Sequence, residues 1–586
     1  MAKQHIEQLI RSALDNLQQA GKLSAEVPAI QIDATKDKQH GDFATNIALM
    51  MSKAAQRKPR ELAEMITQAL PASPKIAKVE IAGPGFINFF LTDDALNSVI
   101  SDIIADGKNY GRSHVGKGKR ALVEFVSSNP TGPLHVGHGR HAAFGDVVSA
   151  LLEAIGYDVT REYYVNDAGR QMDILAVSVW LRYLILCGEK ITFPVNAYKG
   201  EYVIDIARAL QEKYTGSFCF SADKVFANLP ADEPEGGDKE LYIDAVIERS
   251  KRLLGEKNYR TLFAFSLETI LKDIREDLSE YGVDFNNWFS EYDFVQTDAV
   301  DKVMETLKNK GLIYEREGAL WFRSTDFNDE KDRVLQRANG QRTYFTNDLA
   351  YHYNKFERGF DLLIDIFGSD HHGYVPRMKA GLQALGVDSN KLTYVFLQFV
   401  TLFRAGEQVS MSTRSGSFVT LRELRDEVGS DAARFFYVMR KAEQHVDFDL
   451  DLAKSETNEN PVFYVQYAHA RICSVLRQLL EKKMTYNQDQ GLKHLSLLNQ
   501  PHEIQLIGTL ARYKDVILTA AEQHEPHILI HYLRDVANDF HSYYNSHQFL
   551  VEDESLRNAR LTLISATRQV LVNGLQLIGV SIPETM

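Results

Sequence analysis

The sequence predicts a multidomain α/β protein, with a Rossmann-type parallel-sheet domain between a small α+β N-terminal domain and an all-α C-terminal helical bundle. Three observations carry that expectation. The chain has 586 residues, several times the roughly 100–200 residues of a single domain. An apolar run, ALVEFV at 121–126, passes through the loop SSNPTGP into a helical pattern from about Gly139 to Ile155. Strand, loop and helix in that order open a nucleotide-binding α/β sheet. Beyond about Glu456 strand signals cease, and helical patterns rich in Tyr, His and Arg run to the end, as in a bundle.

The elements follow in order. Near the start Ile6, Leu9, Ile10, Ala13, Leu14 and Leu17 share one face of an amphipathic helix. A helix from Pro59 to Leu70 and the strand pattern VEIAGPGFINFFL complete a first domain, 1–113. It closes in the turn-rich linker DGKNYGRSHVGKGK. The parallel-sheet domain spans 114–455 and holds further strand runs in LLIDIFG and YVFLQF. A polar, partly acidic segment at about 190–255 is expected to insert between the halves of its sheet. The helical bundle takes 456–586.

Composition narrows the class. Hydrophobic residues make up 44% and charged residues 25%, the range of a soluble globular protein. The most apolar stretch, Leu175 to Cys187, is short and carries Arg182, far from the ~18 uninterrupted apolar residues of a membrane span. The N-terminus has acids and no apolar core of a secretory signal, so a cytoplasmic protein without a membrane partner is expected. Cys187, Cys219 and Cys473 are far apart. Their spacing suits neither zinc nor a disulfide framework, which predicts reduced, buried thiols and no metal site. The net charge of −13 argues against indiscriminate nucleic-acid binding, which draws on broad basic surfaces. From Glu456 onward 11 Lys/Arg stand against 14 Asp/Glu, so no basic tail exists there.

The most informative segment is NPTGPLHVGHGR, Asn129 to Arg140. His135 and His138 bracket Val136-Gly137 where loop becomes helix, and three-residue spacing puts both imidazoles on one side of the first turn. Helix N-termini attract phosphate through free N–H groups and the macrodipole, and Gly137 lets a ring approach closely. Two such donors can hold charge that develops on a phosphoryl group. A helix cap with two surface histidines is the plainer reading of HxGH alone; its place after a buried strand and a Pro/Gly loop favours the phosphoryl-binding reading.

The segment resembles the HIGH-type ATP-binding motif of class I aminoacyl-tRNA synthetases. Further stretches resemble the arginyl-tRNA synthetases within that class: KQHGDFATNIAL and AGPGFINFFL their N-terminal domain, VEFVSSNPTGPLHVGHGR their first catalytic strand and loop, REYYVNDAGRQ the following segment, and RLTLISATRQVLVNGLQLIGVSIPETM the close of their anticodon-binding domain. Together they cover nearly the whole chain. The resemblance implies ATP-dependent activation of L-arginine to arginyl-adenylate and transfer to the 3′-terminal adenosine of tRNA(Arg), with Mg2+ accompanying ATP, by a monomer. An arginine pocket needs acids to receive a planar, permanently charged guanidinium. By resemblance Glu124, Asn129, Tyr344 and Asp348 line it, with His371 near its floor. His135, Gly137 and His138 bind ATP, the two histidines as catalytic residues. For His371 and His372 in GSDHHGY, metal ligation finds no partner at ligand spacing.

The second class I motif, KMSKS, corresponds to QVSMSTRSGSFVTL. Aligned on Met411-Ser412, its two lysines become Ser410 and Thr413, with Arg414 beyond. Met411, Ser412 and Arg414 are the expected ATP contacts. Arginyl enzymes without the second lysine often carry one just before the HIGH-type motif, where this chain has Gly132. Arg414 or Arg404 could supply the charge. Such enzymes commonly need tRNA for amino-acid activation. Three competitors remain: a cysteinyl-type synthetase, whose zinc site these cysteines cannot build; a small HxGH adenylyltransferase, which would not need about 130 residues of C-terminal helix; and a non-catalytic tRNA-binding paralogue, which the altered loop favours and the retained Asn129, His135, Gly137 and His138 oppose.

Overall fold

The structure, a computed structural model, describes residues 2–35, 38–409 and 418–586. The N-terminal domain is a four-stranded antiparallel sheet of β1 (Asp33–Ala34), β2 (Phe43–Thr45), β3 (Ile76–Ala82) and β4 (Phe86–Leu91), ordered β1-β2-β4-β3. The helix Ala2–Gln19 lays Ile6, Ile10, Ala13 and Leu14 into its core beside Leu62, Ile66, Ile87 and Phe89. This core ends near Leu91. The next helix, Asp93–Asp106, turns away: Ile100 and Ile103 enter the main core, and the Asn97 side-chain amide donates to the Leu495 carbonyl of the C-terminal bundle.

The central sheet has five parallel strands, β5 (Arg120–Glu124), β6 (Asp158–Val165), β7 (Asn287–Ser290), β11 (Leu362–Gly368) and β12 (Leu392–Leu397), ordered β12-β11-β5-β6-β7. Buried on both faces, β5 reads as an uninterrupted apolar run, Ala121-Leu122-Val123, the mark of a parallel strand. Chain order reverses between β5 and β11, and at that switch point a crevice opens beyond the carboxyl ends of the strands.

Two departures concern the insertions. The segment at about 190–255 lies between β6 and β7, inside one half of the sheet rather than between its halves. It forms the helix Glu201–Lys213 and the first part of Lys239–Glu280, which kinks at Gly255. The chain between the halves instead builds a small antiparallel sheet of β8 (Ile313–Arg316), β9 (Ala319–Phe322) and β10 (Arg333–Gln336). Four-residue strands around turns carry too little alternation to stand out from loop. A fourth sheet joins β13 (Val400–Arg404), β14 (Glu407–Gln408) and β15 (Val446–Asp449).

The cysteine expectation is corrected too. Cys187 and Cys219 form a disulfide, with Cα atoms 6.4 Å apart. The helix Arg170–Leu186 packs against Glu201–Lys213, and this hairpin brings the two residues together across 32 positions of sequence. Cys473 is a free, buried thiol. Among the described residues no helix is long and apolar enough to cross a membrane.

From Pro461 the chain is helical, ending in Glu554–Leu577. The bundle shares one core with the parallel-sheet domain. Buried Arg434 donates to the Ile578 carbonyl (2.9 Å) and to Asp146 (2.5 Å), while Asn573 donates to the carbonyls of Gly107 and Tyr110.

Candidate active site

The crevice holds a cavity of about 1040 Å³. One wall is the start of the helix Val136–Ala154. This helix lies unusually close to β5, since a Cβ on Gly145 would fall 2.2 Å from the Phe125 ring. Buried Arg140 fastens its outer side, donating to the carbonyls of Gln398 (2.5 Å) and Lys441 (2.8 Å). His135 is the N-cap and His138 the third helical residue. The Gly137 amide donates to His135 Nδ1 (3.1 Å) and the His135 amide to His138 Nδ1 (3.2 Å), a reciprocal capping box. The rings stack with centroids 3.6 Å apart. Burial lowers the pKa of both, His138 well below the usual histidine range with help from His135 and His141. A neutral ring whose Nδ1 accepts carries its proton on Nε2. The helix start therefore presents two neutral N–H donors, and the cap that looked like the plainer alternative is the device that orients them. Gly137 is required, because a Cβ there would meet the His135 ring at 2.9 Å.

Met411, Ser412 and Arg414 lie outside the described residues. The segment that follows them is in place: the Leu421 amide donates to the Leu134 carbonyl (2.8 Å), the Val136 amide to the Val419 carbonyl (3.3 Å), and Phe418 meets the His135 ring edge-on. The residues that follow the second signature segment, Phe418 to Leu421, thus lie beside the His135 helix start. Gly132 is covered by the insertion: a Cβ there would meet the Tyr202 hydroxyl at 3.1 Å, and that hydroxyl donates to the Thr131 carbonyl.

The other wall carries the acids. Glu124, buried at the end of β5, accepts from Tyr351 (2.7 Å), Lys355 (2.5 Å) and Ser127 (3.0 Å). Val126 and Ser127 just beyond hold left-handed φ of 66° and 40°, a strained turn for a β-branched residue. Asp348 comes from the second turn of the helix Tyr344–Glu357, and Tyr374 donates to it at 2.7 Å. Burial pushes its pKa up to about 7, against the pull of His352 and Tyr374 and with the push of Glu291 and Glu124. Tyr344 stands 60% exposed at the rim. Asn129, also exposed, donates to Gln171 (2.8 Å) and accepts from Asn166 (3.1 Å). His371 lines the cavity but does not form its floor. It sits exposed in a 3-10 turn after β11, against Phe367 and beside Asp370, because the chain has already left the sheet at Gly368. The floor is Tyr351 and His352 of the helix.

Sequence reasoning missed Glu291, in the acidic first turn after β7. It is buried, its Oε2 has no hydrogen-bond partner among the described residues, and burial raises its pKa. Only the SEYD turn was visible in the sequence. Lys355, His352 and Tyr374 were missed as well, since each acts through partners far away in the chain.

Comparison with known proteins gives this geometry its setting. Residues 4–91 match the arginyl tRNA synthetase N terminal domain, 99–192 and 244–466 the class I (R) tRNA synthetase catalytic domain, and 465–586 the DALR anticodon binding domain. An arginine–tRNA ligase of Thioalkalivibrio sulfidiphilus is 58% identical over 585 residues, covering 100% of both chains, and one from Legionella pneumophila is 57% identical over 582, covering 99% of each. The chain belongs to the arginyl-tRNA synthetase family. The arginyl-tRNA synthetase of Thermus thermophilus, 21% identical, has the same fold, with a TM-score of 0.76 over 100% of both chains. The stretch missing from the catalytic match, 193–243, falls within the insertion between β6 and β7.

Proposed function

We propose that the chain joins L-arginine to tRNA(Arg) in two steps, using ATP as its Mg2+ complex. The arginine carboxylate attacks the α-phosphorus and pyrophosphate leaves; the 2′-hydroxyl of the terminal adenosine then attacks the arginyl carbonyl and AMP leaves. The observation that carries this reading is the pairing, in one crevice, of a neutral two-imidazole helix start with a buried acid, Asp348, that has no cation of its own among the described residues. The Nε2–H groups of His135 and His138 face the cavity beside the helix N-terminus, where a phosphoryl group's developing charge is stabilised. Catalysis of this kind rests on positioning and charge rather than a covalent nucleophile.

At the other end Asp348, with Glu291 behind it, receives the guanidinium. Tyr344 closes over the rim, and Asn129 at the end of the loop orients the α-amino end. Met411, Ser412 and Arg414 complete the ATP site. Charging of total tRNA with each of the twenty amino acids tests the assignment: arginine alone should be incorporated, and incorporation of another amino acid or of none contradicts it. Because the loop at 410–414 lacks both lysines, arginine-dependent pyrophosphate exchange is expected to be negligible without tRNA and to appear when cognate tRNA is added. Strong exchange without tRNA would contradict that expectation.

A further inference from the structure

Three carboxylates stand in one row across the sheet. Asp365 of β11 is the register partner of Glu124 of β5, and Glu124 is the register partner of Glu162 of β6. Register partners on neighbouring strands point to the same face, so three like charges adjoin over two strand spacings, and like charges set side by side destabilise a sheet. All three are buried, and anions in that position persist only when matched.

The matching comes from the helix Tyr344–Glu357, which crosses the row. Tyr351 lies 2.7 Å from both Glu124 and Glu162. Lys355, with no exposed surface, bridges Glu124 (2.5 Å) and Asp365 (2.6 Å). Arg358, just past the helix, forks onto Glu162 at 2.5 and 2.9 Å, and Asn287 of β7 donates to Glu162 at 2.6 Å. His352 closes the far end, one ring nitrogen 3.0 Å from Asp365 and the other 2.8 Å from the Asp348 carbonyl. The same helix carries Tyr344 and Asp348 into the pocket. Residues at four-residue steps lie one above another on a helix, so the contacts that dock its lower turns fix the register of its upper ones.

We infer that Lys355 is a positioning residue for arginine: by bridging Glu124 and Asp365 it seats the helix on the acid row and sets where Asp348 stands in the pocket. Lys355 has no path to a ligand, so it acts only through these partners. A compact ammonium with three donors suits a site between two carboxylates on adjacent strands. A planar guanidinium keeps the charge but needs a wider gap. Lysine is therefore preferred over arginine here, and either over a neutral side chain. The inference rests on Asp348 being the arginine acceptor, and its test separates the two.

Arginine and ATP KM values are measured for Lys355→Met, Lys355→Arg and Asp348→Asn, each checked by thermal melting. Lys355→Met is expected to raise the arginine KM by about 30-fold or more, the scale of losing one partner of a buried charge pair. The ATP KM should stay within about twofold, the pattern of lost binding confined to one substrate. Lys355→Arg should recover most of the loss. Because Lys355→Met strands two buried acids, Lys355→Met combined with Asp365→Asn is the variant to use if the single one does not fold. It leaves Glu124 uncovered and should show the same arginine-selective defect. An unchanged arginine KM, equal damage to both substrates, or no recovery with Lys355→Arg overturns the inference. If Asp348→Asn leaves the arginine KM unchanged, the underlying site assignment fails instead.

Discussion

Glu124 and Asp348 face the same cavity from regions built in opposite ways. Glu124 belongs to the acid row on the sheet, where an ammonium and two hydroxyls already occupy its oxygens. Asp348 hangs from the helix above with one tyrosine hydroxyl and, among the described residues, no cation. The first region is fully hydrogen-bonded before any ligand arrives. The second is not, and its acid stays partly protonated as a result. Charge matched within the protein fixes shape, whereas charge left unmatched is, on the proposed reading, completed by the substrate. Arginine's guanidinium, which cannot lose its proton, is suited to that role.

Removing each acid should therefore fail differently, and this is the largest expected contrast. Asp348→Asn should raise the arginine KM by about 2–5 kcal/mol equivalent, leave the ATP KM nearly untouched and cost no thermal stability, since a buried unmatched acid is itself unfavourable. Glu124→Gln should instead lower the Tm, since it removes one of the two carboxylates that hold Lys355, and should raise the arginine KM only through the loosened helix. Matching profiles for the two variants would break the comparison.

The imidazole end sharpens it, because charge there is avoided altogether. His138→Ala should lower the rate of adenylate formation by about 10²–10³, the usual cost of one lost transition-state donor, with little change in arginine affinity. Near-normal single-turnover adenylation would remove the histidine from this role.

Effects in the anticodon-binding bundle should be smaller. Tyr464 and Tyr467 are half-buried beside His541, and Arg471 lies over the rings of Tyr467 (4.3 Å) and Tyr544 (4.8 Å). Tyr543 is core, donating to Glu503, and is not available to a base. Because the bundle shares its core with the catalytic domain, a point substitution probes it more cleanly than truncation near residue 455. Tyr467→Ala should cost about 1–3 kcal/mol in tRNA affinity, the worth of one stacked base, and leave pyrophosphate exchange at saturating tRNA unchanged. Unaltered tRNA KM would place base recognition elsewhere. The mildest check concerns the disulfide. The denatured, unreduced chain should take up one alkylating label, at Cys473, and the reduced chain three.

Local signals made much of this legible in advance. The apolar run of β5, the loop and the His135 helix start announce themselves within thirty residues, and so does the helical ending. Asp348 and Tyr344 stand in one short segment that the resemblance to the family singles out. What escaped was pairing across distance. Nothing near Lys355 indicates that residues 231 and 10 positions away hold it, and Glu291 becomes notable only once folding buries it. The Cys187–Cys219 bond depends on a helical hairpin, and His371 was misplaced because the sheet ends three residues before it. Periodicity reports which face is buried; it does not report which charges meet there.

The most direct test of the central contrast is the arginine KM as a function of pH, at saturating ATP and tRNA, in the wild type and in Asp348→Asn. In the free enzyme burial holds the Asp348 pKa at about 7. A bound guanidinium favours the ionised form, so binding lowers that pKa and releases a proton. Affinity should be full above pH 7 and fall as pH drops through it, the KM rising about tenfold per unit. Asp348→Asn, with no proton to lose, should give a weak but flat profile between pH 6 and about pH 8. A flat wild-type profile, or a slope that survives in Asp348→Asn, would contradict the account.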